Sequence, residues 1–276
     1  MAPHQKKLKQ GLVGMGTGCL VSIIILIIWS AGWFDKWERH TWDWRVSVMA
    51  QPEDKSDDIV IILLDQNSLD WGVREMGLTW PWPREIYSAL VDFCKRNQAR
   101  SLAFDVLYTE PSKYGVSDDH IFEKSLKSYG RTVTPLFLSQ VSGTLTHWPK
   151  KIIKPEFTVS GLNQFLGRTK DQNLEFSRAI LPVDEVTKET AVLCNVNEAP
   201  DADGIYRKIP VLTVFDNTIV PSLGLGLYLA EHQDAKISFG KNLINIDDTP
   251  VPIDKFGQSI LRFRGPSGTY PTFSAA

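Results

Sequence analysis

The chain has 276 residues, a net charge of −2, and 43% hydrophobic against 22% charged residues. That balance excludes wholesale disorder and supports a sizeable core, in one large domain or two small ones. There is no basic stripe and no nucleic-acid motif, so no nucleic-acid partner is expected.

The first element is an apolar helix. Gly11 to Phe34 is a run of 24 residues without a charge, about 36 Å as a helix against a hydrocarbon core of roughly 30 Å. A cleaved signal peptide is the competing reading, but its apolar region is shorter and ends in small residues. This run ends in Trp29, Trp33 and Phe34, as anchors do at a membrane boundary. Residues 1–34 carry three lysines, Lys6, Lys7 and Lys9, and no acid, leaving 27 basic and 32 acidic residues beyond them. Lysines gather on the cytoplasmic flank, so residues 1–10 are expected inside and the rest of the chain outside. That places it in the inner membrane with a periplasmic domain, if the cell is Gram-negative. Gly14 and Gly18, with Gly11 one turn earlier, form a small-residue face suited to dimerisation. Glycine is also common in membrane helices, so both readings stay open. Residues 35–52 contain no glycine and no proline before Pro52, and a helix continuing from the span as a rigid link is expected there.

Residues 53–276 read as one extracytoplasmic domain. Ile59 to Leu64 is a continuous aliphatic run, the pattern of a strand buried on both faces of a parallel sheet. It ends at Asp65, and a short polar loop leads to Trp80-Pro-Trp-Pro-Arg84. Pro83 suits a helix start, and Ile86, Ala89, Leu90, Phe93 and Cys94 form an amphipathic stripe. A second strand is expected over 99–108. A helix capped by Ser117 follows, with Asp118 and Asp119 in its first turn and Ile121, Phe122, Leu126 and Tyr129 inward. Gly130 closes it, and 131–139 is a third strand. This β-α-β-α-β order implies parallel pairing.

Residues 140–178 are weakly patterned and read as an insertion or a long loop with a short helix. Strands are expected at 191–197 and 205–215, joined by a hairpin signal at Asp203-Gly204. A helix from Pro221 to about His232 and three or four short strands over 236–264 complete the chain. The fold class is therefore α/β: a mixed, mostly parallel sheet flanked by helices, with added β-hairpins, preceded by one N-terminal transmembrane helix.

Ligands of open α/β sheets sit at the carboxyl ends of strands. Asp65, Asp105 and Arg84 converge there in this reading, as a polar ligand site or as a structural ion pairing of Arg84 with the two aspartates. Trp82, Asp118 and Asp119 join them as candidate ligand-binding residues. No catalytic residue is assigned. The twelve-residue calcium frame fails around Asp201-Ala-Asp203-Gly204, which reads as a turn. The three cysteines, Cys19, Cys94 and Cys194, lack zinc spacing, and the last two read as buried free thiols rather than a pair. No metal and no cofactor is expected.

From Asp43 onward the chain resembles the CHASE2 extracellular sensor domains of bacterial receptors. The resemblance runs through Trp42-Asp43-Trp44-Arg45, Ile59 to Leu69 with Asp65, Trp80-Pro-Trp-Pro-Arg84, Ala103-Phe-Asp-Val-Leu-Tyr108 and Asp118-Asp119. It continues at Asn195-Val-Asn197, Asp201-Ala-Asp-Gly-Ile-Tyr-Arg207 with Ile209-Pro210, Val220 to Leu223, Leu261 to Pro266 and Tyr270 to Ala275. Residues 140–178 depart from it. The resemblance implies a sensor joined through further membrane helices to its output, and the leading reading is a dimeric sensor of an unknown small-molecule or physical stimulus. It also implies a cytoplasmic output, often a nucleotide cyclase (adenylate or guanylate), a histidine or Ser/Thr kinase or a cyclic-di-GMP enzyme. None of those is in this sequence, so the chain reads as anchor plus sensor of a truncated receptor whose parent is an enzyme. Two other readings stand beside it: a structural dimerisation domain without ligand, and a periplasmic hydrolase using Asp65 and Asp105.

Overall fold

The computed structural model describes residues 3–54, 57–152, 157–168 and 174–275. In chain order the helices and strands are α1 (Pro3–Ser30), α2 (Asp35–Met49), β1 (Ile61–Leu63), α3 (Gln66–Met76), α4 (Arg84–Arg96), β2 (Leu102–Ala103), α5 (Val116–Tyr129) and β3 (Thr132–Ser139). Then come β4 (Thr158–Ser160), α6 (Leu162–Arg168), β5 (Glu175–Phe176), β6 (Arg178–Ile180), α7 (Asp184–Glu189), β7 (Val192–Asn195), β8 (Lys208–Pro210), β9 (Leu212–Phe215) and β10 (Thr218–Pro221). The last are α8 (Leu223–Glu231), β11 (Lys236–Phe239), β12 (Leu243–Ile246), β13 (Thr249–Pro252), β14 (Gln258–Ile260) and β15 (Thr272–Ser274). The α/β class and the apolar N-terminal helix are as expected. The chain divides into two compact units, residues 1–68 with 262–276, and residues 69–261.

In the first unit, Gly11–Ser30 of α1 is long and apolar enough to cross a membrane, and none of it is buried by protein. The expected unbroken rod is interrupted. Gly32 adopts φ +73°, its N–H bonds Trp29 O at 3.0 Å, and Trp33 N–H bonds Ile28 O at 3.2 Å. This is the paired bonding of a Schellman stop, which glycine permits because it lacks a Cβ. The helix restarts at Asp35. The run 59–64 supplies only the three residues of β1, which pairs in parallel with β15 and not with the second predicted strand. Ile61, Leu63 and Phe273 are exposed, so the expected burial on both faces is not met. Trp42 of α2 meets Phe263 edge-on at 6.4 Å.

The second unit is built around β3, which pairs in parallel with β2 and β7 and antiparallel with β6. Along β7, Val192 and Cys194 join a core cluster with Val133, Leu225 and Leu229, while Leu193 joins another with Leu136, Leu138, Trp148 and Phe215. Successive side chains of a strand point to opposite faces, so this sheet is buried on both sides, as its aliphatic composition requires. Helix α8 lies so close to it that a Cβ on Gly226 would stand 2.0 Å from Cys194 Sγ. Cys94 and Cys194 are free and buried, and burial pushes both thiols up from their ordinary range.

Several expected local features are corrected. Helix α3 replaces the polar loop expected after Asp65. Helix α4 buries Tyr87, Ser88, Val91 and Cys94 and leaves Phe93 exposed, a face turned from the predicted stripe. Tyr87 is drawn inward by Phe104, Tyr108 and Phe122, ring centroids 5.5–6.1 Å away. Ser117 lies inside α5 and does not cap it; Gly115 holds the cap position. The 203–204 turn forms, but it joins no hairpin: β7 pairs with β3, and β8 pairs with β14. Two-residue hairpins form at β9–β10, turning at Asp216 (φ +47°) and Asn217 (φ +59°), and at β12–β13, turning at Asp247 (φ +51°) and Asp248 where a turn was expected. Within 140–178 the chain forms β4, α6 and β5, with β4 parallel to β11; residues 153–156 and 169–173 of that stretch lie outside the described residues.

Candidate functional site

Arg84 opens α4. Its preceding residue, Pro83, offers no side-chain cap. The free amides of the first turn are taken by Asp118, whose Oδ2 accepts from Arg84 N–H at 2.7 Å and Oδ1 from Glu85 N–H at 2.9 Å. A carboxylate there satisfies orphan donors and meets the positive end of the helix dipole. Asp119 Oδ1 accepts from Arg84 Nε at 3.2 Å, and its Oδ2 accepts from Ser112 N–H at 2.9 Å. Arg84 Nη2 donates to Glu110 O at 2.9 Å, and the guanidinium stacks 4.5 Å above the Tyr108 ring. The Ser112 hydroxyl donates to Asp118. Arg84, Asp118, Asp119 and Tyr108 are all buried.

This cluster ties three segments together: the start of α4, the loop at 110–112 and the first turn of α5. Each polar contact given above is satisfied by another part of the chain, as a buried charge requires. The pairing differs from the expected one. Asp119, not Asp105, neutralises Arg84 among the described residues. Asp105 lies exposed beyond β2, and the Glu198 carboxyl is pushed up by its own burial and then by the Asp105 charge. Trp82 is buried, with its indole against α3, where a Cβ on Gly72 would stand 3.0 Å from the ring.

Asp65 belongs to the first unit and does different work. Its Oδ1 accepts from Ser68 N–H at 2.9 Å, Ser68 Oγ–H at 2.8 Å and Ser274 Oγ–H at 2.9 Å. It therefore caps the chain at Ser68 and holds Ser274 of β15 beside it, all within the first unit. Those hydrogen bonds, Ser68's first, hold its carboxyl below the ordinary value. A general acid needs the opposite shift.

Sequence reasoning missed a second buried arginine as a site. Arg207, 5% exposed, donates through Nη1 to Asp201 Oδ2 at 2.8 Å and Asp203 Oδ1 at 2.9 Å, and through Nη2 to Asp203 Oδ2 at 2.9 Å. The hydrogen bonds from Arg207 bring the Asp203 carboxyl down to about 2. The Asp-x-Asp-x-x-x-Arg spacing was the available signal. Tyr108, Glu110 and Ser112 were equally missed, because a stacked ring, a carbonyl and a backbone amide leave no charge pattern. No group of His, Cys, Asp or Glu among the described residues is arranged to hold a metal ion.

The CHASE2 domain family model matches residues 20–276. The chain belongs to the CHASE2 family. CHASE2 is an extracellular sensory domain, not a catalytic one, and the span in α1 suggests that this copy is associated with a membrane. No curated protein and no solved structure matches the chain. The match extends through the region that sequence reading set apart at 140–178, so that stretch lies inside the CHASE2 domain.

Proposed function

We propose that this chain is the sensory part of a receptor in the inner membrane. Its N-terminus lies in the cytoplasm and its CHASE2 domain in the periplasm. It works as a homodimer and passes a stimulus to a cytoplasmic output, such as a nucleotide cyclase or a histidine or Ser/Thr kinase. The carrying observation is where the family match begins. It starts at residue 20, inside the Gly11–Ser30 span, and runs on to residue 276, which supports reading part of the apolar helix together with the sensory domain.

Paired fusions to Ala276 test the topology. A phosphatase active only after export should be active there, and a fluorescent protein that folds only in the cytoplasm should stay dark. The reverse pattern sinks the reading. For the signalling role, removal of residues 69–261 from the intact receptor should change the output activity; an unchanged output would reject it.

A second reading is a dimerisation scaffold without ligand. The Arg84–Asp118–Asp119 cluster favours it, because those groups are spent on one another. We read Arg84, Asp118, Asp119 and Trp82 as residues that fix the entrance of α4 and not as ligand contacts. The hydrolase reading loses support because Asp65 is held ionised by three donors. Asp105 is left as the exposed candidate.

A further inference from the structure

The second unit contains a cavity of about 400 Å³ between α6 and the β11–β12 turn, lined by Gln164, Phe165, Arg168, Phe239, Gly240 and Lys241. Its size falls within the roughly 300–1,000 Å³ of small-molecule sites. One wall is apolar: the Phe165 and Phe239 rings lie 5.2 Å apart at 42°. The rim is cationic. Arg168 ends α6, Lys241 follows β11, and neither makes an ion pair or hydrogen bond with a described residue. The two buried arginines of this unit are each neutralised by aspartate. Two cations that pair with no described residue, beside one concavity, raise its potential and attract an anion. Gln164 adds an amide that can both donate and accept.

The cavity is built by the backbone. Gly161 enters α6 at φ +75°, and a Cβ there would stand 2.6 Å from Phe239 O. Only glycine lets the chain turn so tightly from β4, which pairs with β11, into α6. The aromatic wall and the cationic rim are thereby held against each other.

We propose that this cavity binds a small organic anion, a carboxylate carrying a compact flat apolar body. The carboxylate sits between Arg168 and Lys241, with its body against Phe239. As the identity of the stimulus, this rests on the sensory reading; as a binding site, it stands apart from it.

The test uses the full chain in detergent micelles at constant ionic strength, with calorimetric titration of benzoate, benzyl alcohol, benzylammonium and inorganic phosphate. Benzoate should bind saturably, and Arg168→Ala and Lys241→Ala should each weaken it about tenfold or more. Arg168→Lys should recover part of the loss. Both residues are exposed, so the variants should unfold at the wild-type midpoint. Benzyl alcohol and benzylammonium should bind far more weakly. The proposal is overturned by no saturable benzoate binding, by benzoate binding indifferent to both alanine variants, or by phosphate binding as tightly as benzoate. Binding without any change in receptor output would keep the site and reject its role as the stimulus.

Discussion

Arg84→Ala is the sharpest perturbation of the CHASE2 domain. The Arg84–Asp119 pair has side chains only 10% and 3% exposed. Removing the guanidinium strands the Asp119 carboxylate with the Ser112 amide alone. It also frees the Glu110 carbonyl and uncovers the Tyr108 ring. Breaking a buried pair from one side costs about 3–5 kcal/mol. The Arg74–Glu75 pair is shorter, 2.7 Å against 3.2 Å, but its side chains are 70% and 52% exposed. Arg74→Ala should therefore cost no more than about 1 kcal/mol. Distance alone ranks the two pairs the other way. Urea unfolding of the full chain in micelles, followed by tryptophan fluorescence, reads both. The Arg84→Ala midpoint should fall by at least about 1 M, and that of Arg74→Ala should hardly move. Arg84→Met with Asp119→Leu should recover much of the loss, because no charge is left stranded. Equal midpoints for the two alanine variants, or a double variant as weak as the sum of its singles, would refute the argument.

Gly226→Ala should destabilise by about 3 kcal/mol or more, since overpacking a core costs about 1–3 kcal/mol and the new Cβ would lie 2.0 Å from Cys194 Sγ. Cys194→Ala in that background should restore part of it, and a strictly additive cycle would count against the contact. The Asp203 carboxyl is depressed to about 2. Its contribution to stability is complete above the ordinary carboxylate value near 4 and disappears as pH falls towards about 2. Asp203→Asn should flatten the fall of the urea midpoint over that window, and an unchanged profile would show that the Arg207 clamp is not linked to folding. Maleimide should leave Cys94 and Cys194 unlabelled in the native protein and label both after denaturation, as read by peptide mass spectrometry.

Elements whose signals are local were legible in the sequence. Pro83 marked the start of α4 to within one residue, standing at its N-cap and not at the first helical position, and Gly130 closed α5, because a helix end is decided by one or two residues. What depends on a distant partner was not. The aliphatic run at 59–64 announces a strand but not its neighbour, and β1 found β15 some two hundred residues later. The face of α4 was set by Phe104, Tyr108 and Phe122, so a stripe counted within the helix landed on the wrong side. At the candidate site, the sequence singled out Arg84, Asp118 and Asp119, which the structure brings together, and Asp65 and Asp105, which it does not add to them. Which acid meets which cation was fixed by α5 packing on α4, and that brought Asp118 to a helix end and Asp119 to the guanidinium. Helix α3 hid behind its own cap, since Asp65 read as a strand end also accepts from Ser68 N–H.

The break between α1 and α2 bears on how a sensory domain is joined to an apolar helix long enough to cross a membrane. A continuous helix would carry a twist or a piston movement straight through. Here the Schellman stop at Gly32 interposes a turn over residues 31–34, so a rotation of α2 need not become a rotation of α1. Gly32→Ala probes that turn. Alanine at φ +73° costs about 1 kcal/mol relative to glycine, and its Cβ would lie 2.9 Å from Asp35 Oδ2, a side-chain end that can move aside. The substitution should raise the open fraction of the turn roughly fivefold. Hydrogen exchange of the Trp33 and Asp35 amides, bonded in the turn to the Ile28 and Gly32 carbonyls, should quicken by about that factor in micelles, while amides in the middle of α1 keep their rates. Unchanged exchange at 33–35 would mean that contacts elsewhere impose the turn and that Gly32 merely tolerates it.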